Sequence, residues 1–183
     1  MKQIQEVYQK SSLPIKVVQF GEGRLLRTLI EPAFQTAIDE KRLEGSIAIV
    51  KPTGRGNLNT FQQQDCLYTI VLRGKQDGKT SDEAFPITCV NRAVNPYEDF
   101  EAFLALARLP ELEFVVSNTT EAGIVLDPAD RFDAVPPRSF PRTLPRFLAE
   151  QCRYGAGPGT CGTVSVHQRH PRAHGAPRPA LSV

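Results

Sequence analysis

Ile15-Lys16-Val17-Val18-Gln19-Phe20-Gly21-Glu22-Gly23-Arg24-Leu25-Leu26-Arg27 is a β-rich apolar run that stops at two glycines and passes directly into a helical pattern. A buried strand, a tight glycine turn and a helix start, in that order, make an anion site. The first N–H groups of a helix have no acceptor within it, and a phosphate can take them. The spacing is G-x-G, and the place where a G-x-G-x-x-G fingerprint carries its last glycine holds Leu26. Two readings stand at this point: a phosphate cradle and an ordinary β-turn-α corner.

The next segment decides between them. From Arg24 to Arg42 the apolar residues Leu25, Leu26, Leu29, Ile30, Phe34, Ala37 and Ile38 recur at helical spacing. Pro32 falls inside that pattern, so the helix is expected to kink there, or to make a short first turn and restart. Leu43-Glu44-Gly45 ends it, and Ser46-Ile47-Ala48-Ile49-Val50-Lys51 reads as a second buried strand closed by Pro52. Strand, helix and strand form a βαβ unit, whose strands must be parallel with a right-handed crossover. In that setting the first glycine makes the turn, and the second lets a dinucleotide pyrophosphate approach the backbone.

Beyond the unit, residues 53–65 form a polar loop, Leu67–Leu72 reads as a strand, and Gln76-Asp77-Gly78-Lys79 reads as a turn. A return strand is predicted over about 85–94, with Pro86 marking an edge. This β-hairpin is inserted into a mostly parallel α/β fold. Asn95-Pro96 starts a helix with Phe100, Phe103, Leu104 and Ala107 facing inward. Leu112–Val116 is a further buried strand, ending at Ser117-Asn118-Thr119-Thr120-Glu121-Ala122-Gly123. Polar residues at the carboxyl end of a parallel strand line the crevice where such folds bind ligands. The alternative is a plain loop rich in capping side chains. Ser139-Phe140-Pro141 is placed to start a helix running to about Cys152, with Pro145 tolerable only near its start.

A chain of 183 residues has room for one domain with a tail. No apolar run approaches the roughly 18 residues of a membrane span. The N-terminus lacks the apolar core of a secretory signal. The four cysteines, Cys66, Cys89, Cys152 and Cys161, show no metal-ligand spacing, which fits reduced thiols in the cytoplasm. Residues 151–183 carry four Arg and no acidic residue; taking these from 22 leaves 18 basic against 20 acidic residues in 1–150, a net charge of −2 there. His167, His170 and His174 also lie in this last part. Its Arg, Gly, Pro, Ala and His bias cannot bury enough apolar surface to fold alone, and Thr163–Val166 is its single strand-like piece. A nucleic-acid site lacks interleaved aromatics, and Pro171 breaks the helix that a histidine metal site needs. The expectation is residues 1–152 as the domain and 153–183 as a disordered basic tail.

Val17–Gly23 with Arg27 resembles the N-terminal signature of the polyol-specific long-chain dehydrogenases, the mannitol dehydrogenase family. Gln64–Thr69, Asn95–Glu98, Ser117–Ile124, Asp130–Asp133 and Ser139–Pro141 narrow the likeness, over about residues 15–152, to the tagaturonate reductase (altronate oxidoreductase) subgroup. Fructuronate reductase and mannitol dehydrogenase share the first block and less of the others. The resemblance implies a Rossmann-like domain, incomplete at its C-terminal end, and NAD-dependent interconversion of D-tagaturonate and D-altronate in hexuronate breakdown. It implies a nicotinamide dinucleotide held by Val18, Gln19, Phe20, Gly21, Glu22, Gly23, Arg24, Leu25 and Arg27, with Asp65, Asn118, Thr119 and Glu121 lining the crevice. The residues themselves lead to no expected nucleic-acid or membrane partner and no metal.

Two features depart from the family pattern: Arg24-Leu25 replaces Asn-Phe, and Pro32 interrupts the helix. Lys51-Pro52 stands where a carboxylate normally accepts from the ribose of NAD, and charge alone there favours NADP. The subgroup's pattern keeps NAD as the expected cofactor. The family's catalytic Lys, Asn and His belong to a C-terminal helical domain, so no catalytic residue is assigned, and this polypeptide alone is expected to be inactive. A further core strand is implied soon after residue 155, and residues 155–183 match none of its family sequence. A change of reading frame near 152–156, or a truncated gene, is the expectation, with an apolar sheet edge left open. A non-catalytic nucleotide-binding module is the competing function.

Overall fold

The computed structural model describes residues 3–54, 56–76, 78–154 and 162–167; at 76, 79, 81, 121, 122 and 162–167 it describes the backbone alone. The opening apolar run is β1 (Ile15–Phe20), the central strand of a five-stranded parallel sheet. On one side it pairs with β2 (Ser46–Val50), in register from Val17 opposite Ile47 to Phe20 opposite Val50. β2 is buried at every position, as strands covered on both faces must be.

Between them the chain is helical from Arg24 to Asp39: π-helical over Leu26–Ile30, then regular in α1 (Glu31–Asp39). Pro32 sits in the first turn of α1, so the disturbance it causes is a wide π turn just ahead of it rather than a break.

The inserted ribbon is β3 (Tyr68–Gln76) paired antiparallel with β4 (Lys79–Ile87), after the short α2 (Asn59–Gln63). The return strand expected over 85–94 is corrected: β4 ends at Ile87, and Val90–Val94 is β5, parallel to β2 in the main sheet. Thr88 and Cys89 make the crossing, and both of their N–H groups donate to Gln35 Oε1 at 2.8 Å, so the chain leaves one ladder without stranding polar groups. Pro86 lies opposite Thr69 in a ribbon of two strands, where both strands are edges.

The chain then crosses to the other side of β1. α3 (Phe100–Ala107) is capped by Asp99, which accepts from the Ala102 N–H, and leads to β6 (Phe114–Thr119) beside β1. α4 (Phe140–Tyr154) starts after Ser139, whose N–H and hydroxyl both donate to Asp130. It runs two residues past the expected end and carries Pro145 within it rather than at its start.

β7 (Gly162–His167) pairs parallel with the outer edge of β6, from Phe114 opposite Gly162 to Thr119 opposite His167. This corrects the expectation of disorder for those six residues. The open edge of β6 offers a row of unpaired backbone groups, and a short Thr-Val-Ser-Val run has the composition to take them. The fold is therefore α/β and Rossmann-like, with strand order β5-β2-β1-β6-β7. His170, His174 and Cys161 lie outside the described residues.

Candidate functional site

The strand order reverses between β1 and β6: β2 and β5 follow on one side, β6 and β7 on the other. In open parallel sheets the ligand crevice lies outside the carboxyl ends of the strands at this reversal. Gly21-Glu22-Gly23 leaves the end of β1 there, and Phe20 pairs with Ser117, so Gly21 and Asn118 come next on the two strands.

The turn is built for close approach. Gly21 has φ +115°, a region that disfavours side chains, and its N–H donates to Val50 O at 2.9 Å. A Cβ added at Gly21 would meet Leu26 Cδ1 at 3.1 Å, whereas one at Gly23 meets nothing within 4 Å. The first helical bond runs from Arg27 N–H to Gly23 O at 3.2 Å, so the amides between them have no acceptor within the helix. The Leu26 in place of a third glycine is fully buried in the core.

The remaining candidates divide. Val18 and Phe20 are core side chains and offer a ligand only backbone. Glu22, Gly23, Arg24 and Leu25 lie at the turn and helix start with partly or fully exposed positions. Arg27 lies over the Phe61 and Tyr68 rings, at 5.6 and 6.0 Å from their centroids, with a buried Nε that has no hydrogen-bond partner. Asn118 Oδ1 is buried without a partner at the crevice edge. Thr119 ends β6, Thr120 caps the following 3-10 turn through the Gly123 N–H, and Glu121 contributes its backbone to that turn, its side chain lying outside the described residues. Asp65, at φ +52°, ion-pairs with Lys10 at 2.5 Å.

Lys51 does not present an open ammonium. It is fully buried, with Nζ donating to Thr53 O at 2.6 Å and the backbone N–H to Val94 O. The charge that favoured NADP on sequence grounds is thus used inside the loop after β2.

Sequence reasoning missed the polar cluster behind the turn. Glu31 is entirely buried; Gln19 Nε2 donates to its Oε1 at 2.7 Å, and the Tyr68 hydroxyl lies 2.5 Å from its Oε2. Burial pushes the Glu31 carboxyl above its ordinary value, against the opposing pull of Tyr68, Gln19 and Arg27. Burial likewise raises the Tyr68 hydroxyl and the Cys89 thiol. A signal was present: Arg27, Glu31, Gln35 and Asp39 form a polar stripe at i, i+4 spacing. Among the described residues no group of His, Cys, Asp and Glu is placed to hold a metal, and no helix is long and apolar enough to cross a membrane.

The donors, the open approach at Gly23 and the unpartnered Asn118 oxygen fit a dinucleotide at this edge. The chain is 40% identical over 154 residues to an altronate oxidoreductase of Klebsiella pneumoniae, covering 84% of this chain and 32% of that enzyme. It is 37% identical over 153 residues to one of Bacillus subtilis, and 34% identical over 159 residues to one of Phocaeicola vulgatus, with 84% and 87% of this chain covered and 32% and 33% of theirs. The chain thus spans about a third of the length of the curated relatives it matches. Among solved structures, the mannitol 2-dehydrogenase of Pseudomonas fluorescens, determined with NAD and D-mannitol, superposes with a TM-score of 0.70 at 18% identity, covering 87% of this chain and 35% of that one. A substrate-free D-sorbitol dehydrogenase superposes with a TM-score of 0.65 at 19% identity, covering 89% and 36%. No family model matches the chain.

Proposed function

We propose that this chain, a homologue of the altronate oxidoreductases over most of its own length, holds NAD(H) at the carboxyl edge of β1 and β6. It is the dinucleotide-binding portion of an oxidoreductase that interconverts D-altronate and D-tagaturonate in hexuronate breakdown. The observation that carries this reading is the Gly21 turn, at φ +115°, standing at the reversal of strand order in a parallel sheet. The pyrophosphate takes the N–H groups that lack helical acceptors after Gly23, with Arg27 close by on the same helix and Asn118 across the crevice. The bound cofactor supplies the hydride; the chain's own residues bind and orient it. The buried Lys51 leaves no exposed ammonium at the end of β2 to reward a 2′-phosphate, which supports NAD over NADP. Chemistry on the sugar acid falls to the two thirds of the relatives outside the match.

Isothermal titration with NADH tests this. Gly23→Asp is the informative variant, because a Cβ there meets nothing within 4 Å while the side chain brings a carboxylate to the proposed pyrophosphate site. The expected result is NADH binding by the parent chain and its loss in Gly23→Asp, with the two melting curves superimposed. Equal NADH affinity in both overturns the reading.

A further inference from the structure

The Gly21 turn is held from behind as well as by its own conformation. Gln19, fully buried on β1, spends both hydrogens of its amide: Nε2 donates to Gly21 O at 2.9 Å and to Glu31 Oε1 at 2.7 Å. Gly21 N–H is committed to Val50 O. A trans peptide holds its C=O and N–H in opposite directions, so fixing the Gly21 carbonyl aims the Glu22 N–H away from Gln19.

The cluster's second end lies on the inserted ribbon. The Tyr68 hydroxyl, at the start of β3, is 2.5 Å from Glu31 Oε2 and 3.0 Å from Arg27 O. A hydroxyl has one hydrogen, and two acceptor oxygens compete for it. Both contacts are satisfied when Glu31 is a neutral acid, its Oε2–H donating to Tyr68 Oη while Tyr68 donates to the Arg27 carbonyl. The charged and titratable groups around Glu31 are Arg27 on its own helix, Tyr68 from β3, and the thiols of Cys66 and Cys89, with Cys89 Sγ donating to Glu31 O at 3.8 Å. Burial, the largest influence on Glu31, favours the same neutral state.

We propose that Gln19, Glu31 and Tyr68 are positioning residues, a hydrogen-bond relay through which the β3–β4 ribbon sets the direction of the Gly21–Glu22 peptide. The relay rests on the reading of that turn as the dinucleotide site. It gives the inserted ribbon a role at the site through Tyr68, the first residue of β3.

Amide hydrogen exchange of residues 21–24 in the free chain, together with NADH titration and melting curves, tests the relay. Tyr68→Phe removes one hydroxyl and keeps the ring; Gln19→Met removes both amide hydrogens. Each is expected to speed exchange at Glu22 and Gly23 and to weaken NADH about fivefold, the effect of one lost hydrogen bond of about 1 kcal/mol. The double variant is expected to match Gln19→Met, because Tyr68 reaches the Gly21 carbonyl only by way of Glu31 and Gln19. Glu31→Gln is expected to stay within about twofold of the parent, since a neutral amide can accept from Gln19 and donate to Tyr68 as the neutral acid does. Unchanged exchange at 21–24 in Tyr68→Phe and Gln19→Met overturns the relay, whatever the melting temperatures do. A Glu31→Gln loss as large as that of Tyr68→Phe overturns the neutral-acid form. Faster exchange in a chain whose parent fails to bind NADH leaves the relay standing and removes the dinucleotide reading instead.

Discussion

The two faces of the parallel sheet are built on opposite principles. One face packs Val18 and Phe20 of β1 against α3 and α4, and its centre is aromatic: Phe20 meets Phe103, Phe140 and Phe147 edge-on, with ring centroids 5.4 to 6.2 Å apart. Beside it, the partly exposed Arg108 ion-pairs with the buried Glu150 at 2.6 Å. The other face packs Val17 among Leu26, Ile47, Ile49 and Val116, but sets Gln19, Glu31, Gln35 and Tyr68 inside the apolar layer. The aromatic face supplies bulk stability. The mixed face fixes directions, those of the Gly21 carbonyl and of the Thr88-Cys89 crossing.

That division fails if its effects on stability do not sort by face. Phe147→Ala empties the middle of the aromatic cluster, and urea denaturation should show a loss of about 3–5 kcal/mol. On the mixed face, Gln35→Leu strands the buried N–H groups of Thr88 and Cys89 and should cost about 2 kcal/mol by the same measurement, with β4 and β5 losing exchange protection together.

A smaller effect is a slope with pH. Glu31 has a folded value above its ordinary 4.5, so its contribution is fully present below that value and is lost as pH rises through the raised one. Melting temperatures should therefore decline across that interval, and Glu31→Gln should remove the decline; a decline that survives the substitution assigns it to another group. The smallest effect belongs to neither face. Arg73–Asp82 on the exposed ribbon spans 3.1 Å, and Asp82→Asn should change stability by less than about 0.5 kcal/mol.

The βαβ unit was legible because its signals are local: an apolar-rich strand, a helical repeat and a second apolar-rich strand within the 37 residues from Ile15 to Lys51. The G-x-G turn was legible for the same reason. β5 was not, because Val90-Asn91-Arg92-Ala93-Val94 buries only its ends fully and follows β4 after two residues, so its pattern merges with the ribbon's. The relay was not legible either. Glu31 and Tyr68 are far apart in sequence, and the polar stripe that carries Glu31 reads locally as an exposed helix face. β7 was legible only as the strand-like piece Thr163–Val166, because its surroundings have the composition of an unfolded segment and its pairing depends on an edge that only the assembled sheet provides. Lys51 shows the converse error: its charge was read correctly, but its burial and its bond to Thr53 O belong to the folded loop.

Cys66 and Cys89 both lie buried in the mixed layer with thiols made less acidic by burial, whereas Cys152 on α4 is exposed. Reactivity follows the thiolate and its access. The molecule therefore carries its own clock. A thiol reagent marks Cys152 at once, and the slower marking of Cys89, whose sulfur rests on the Glu31 carbonyl, times each opening of the layer that supports the glycine turn.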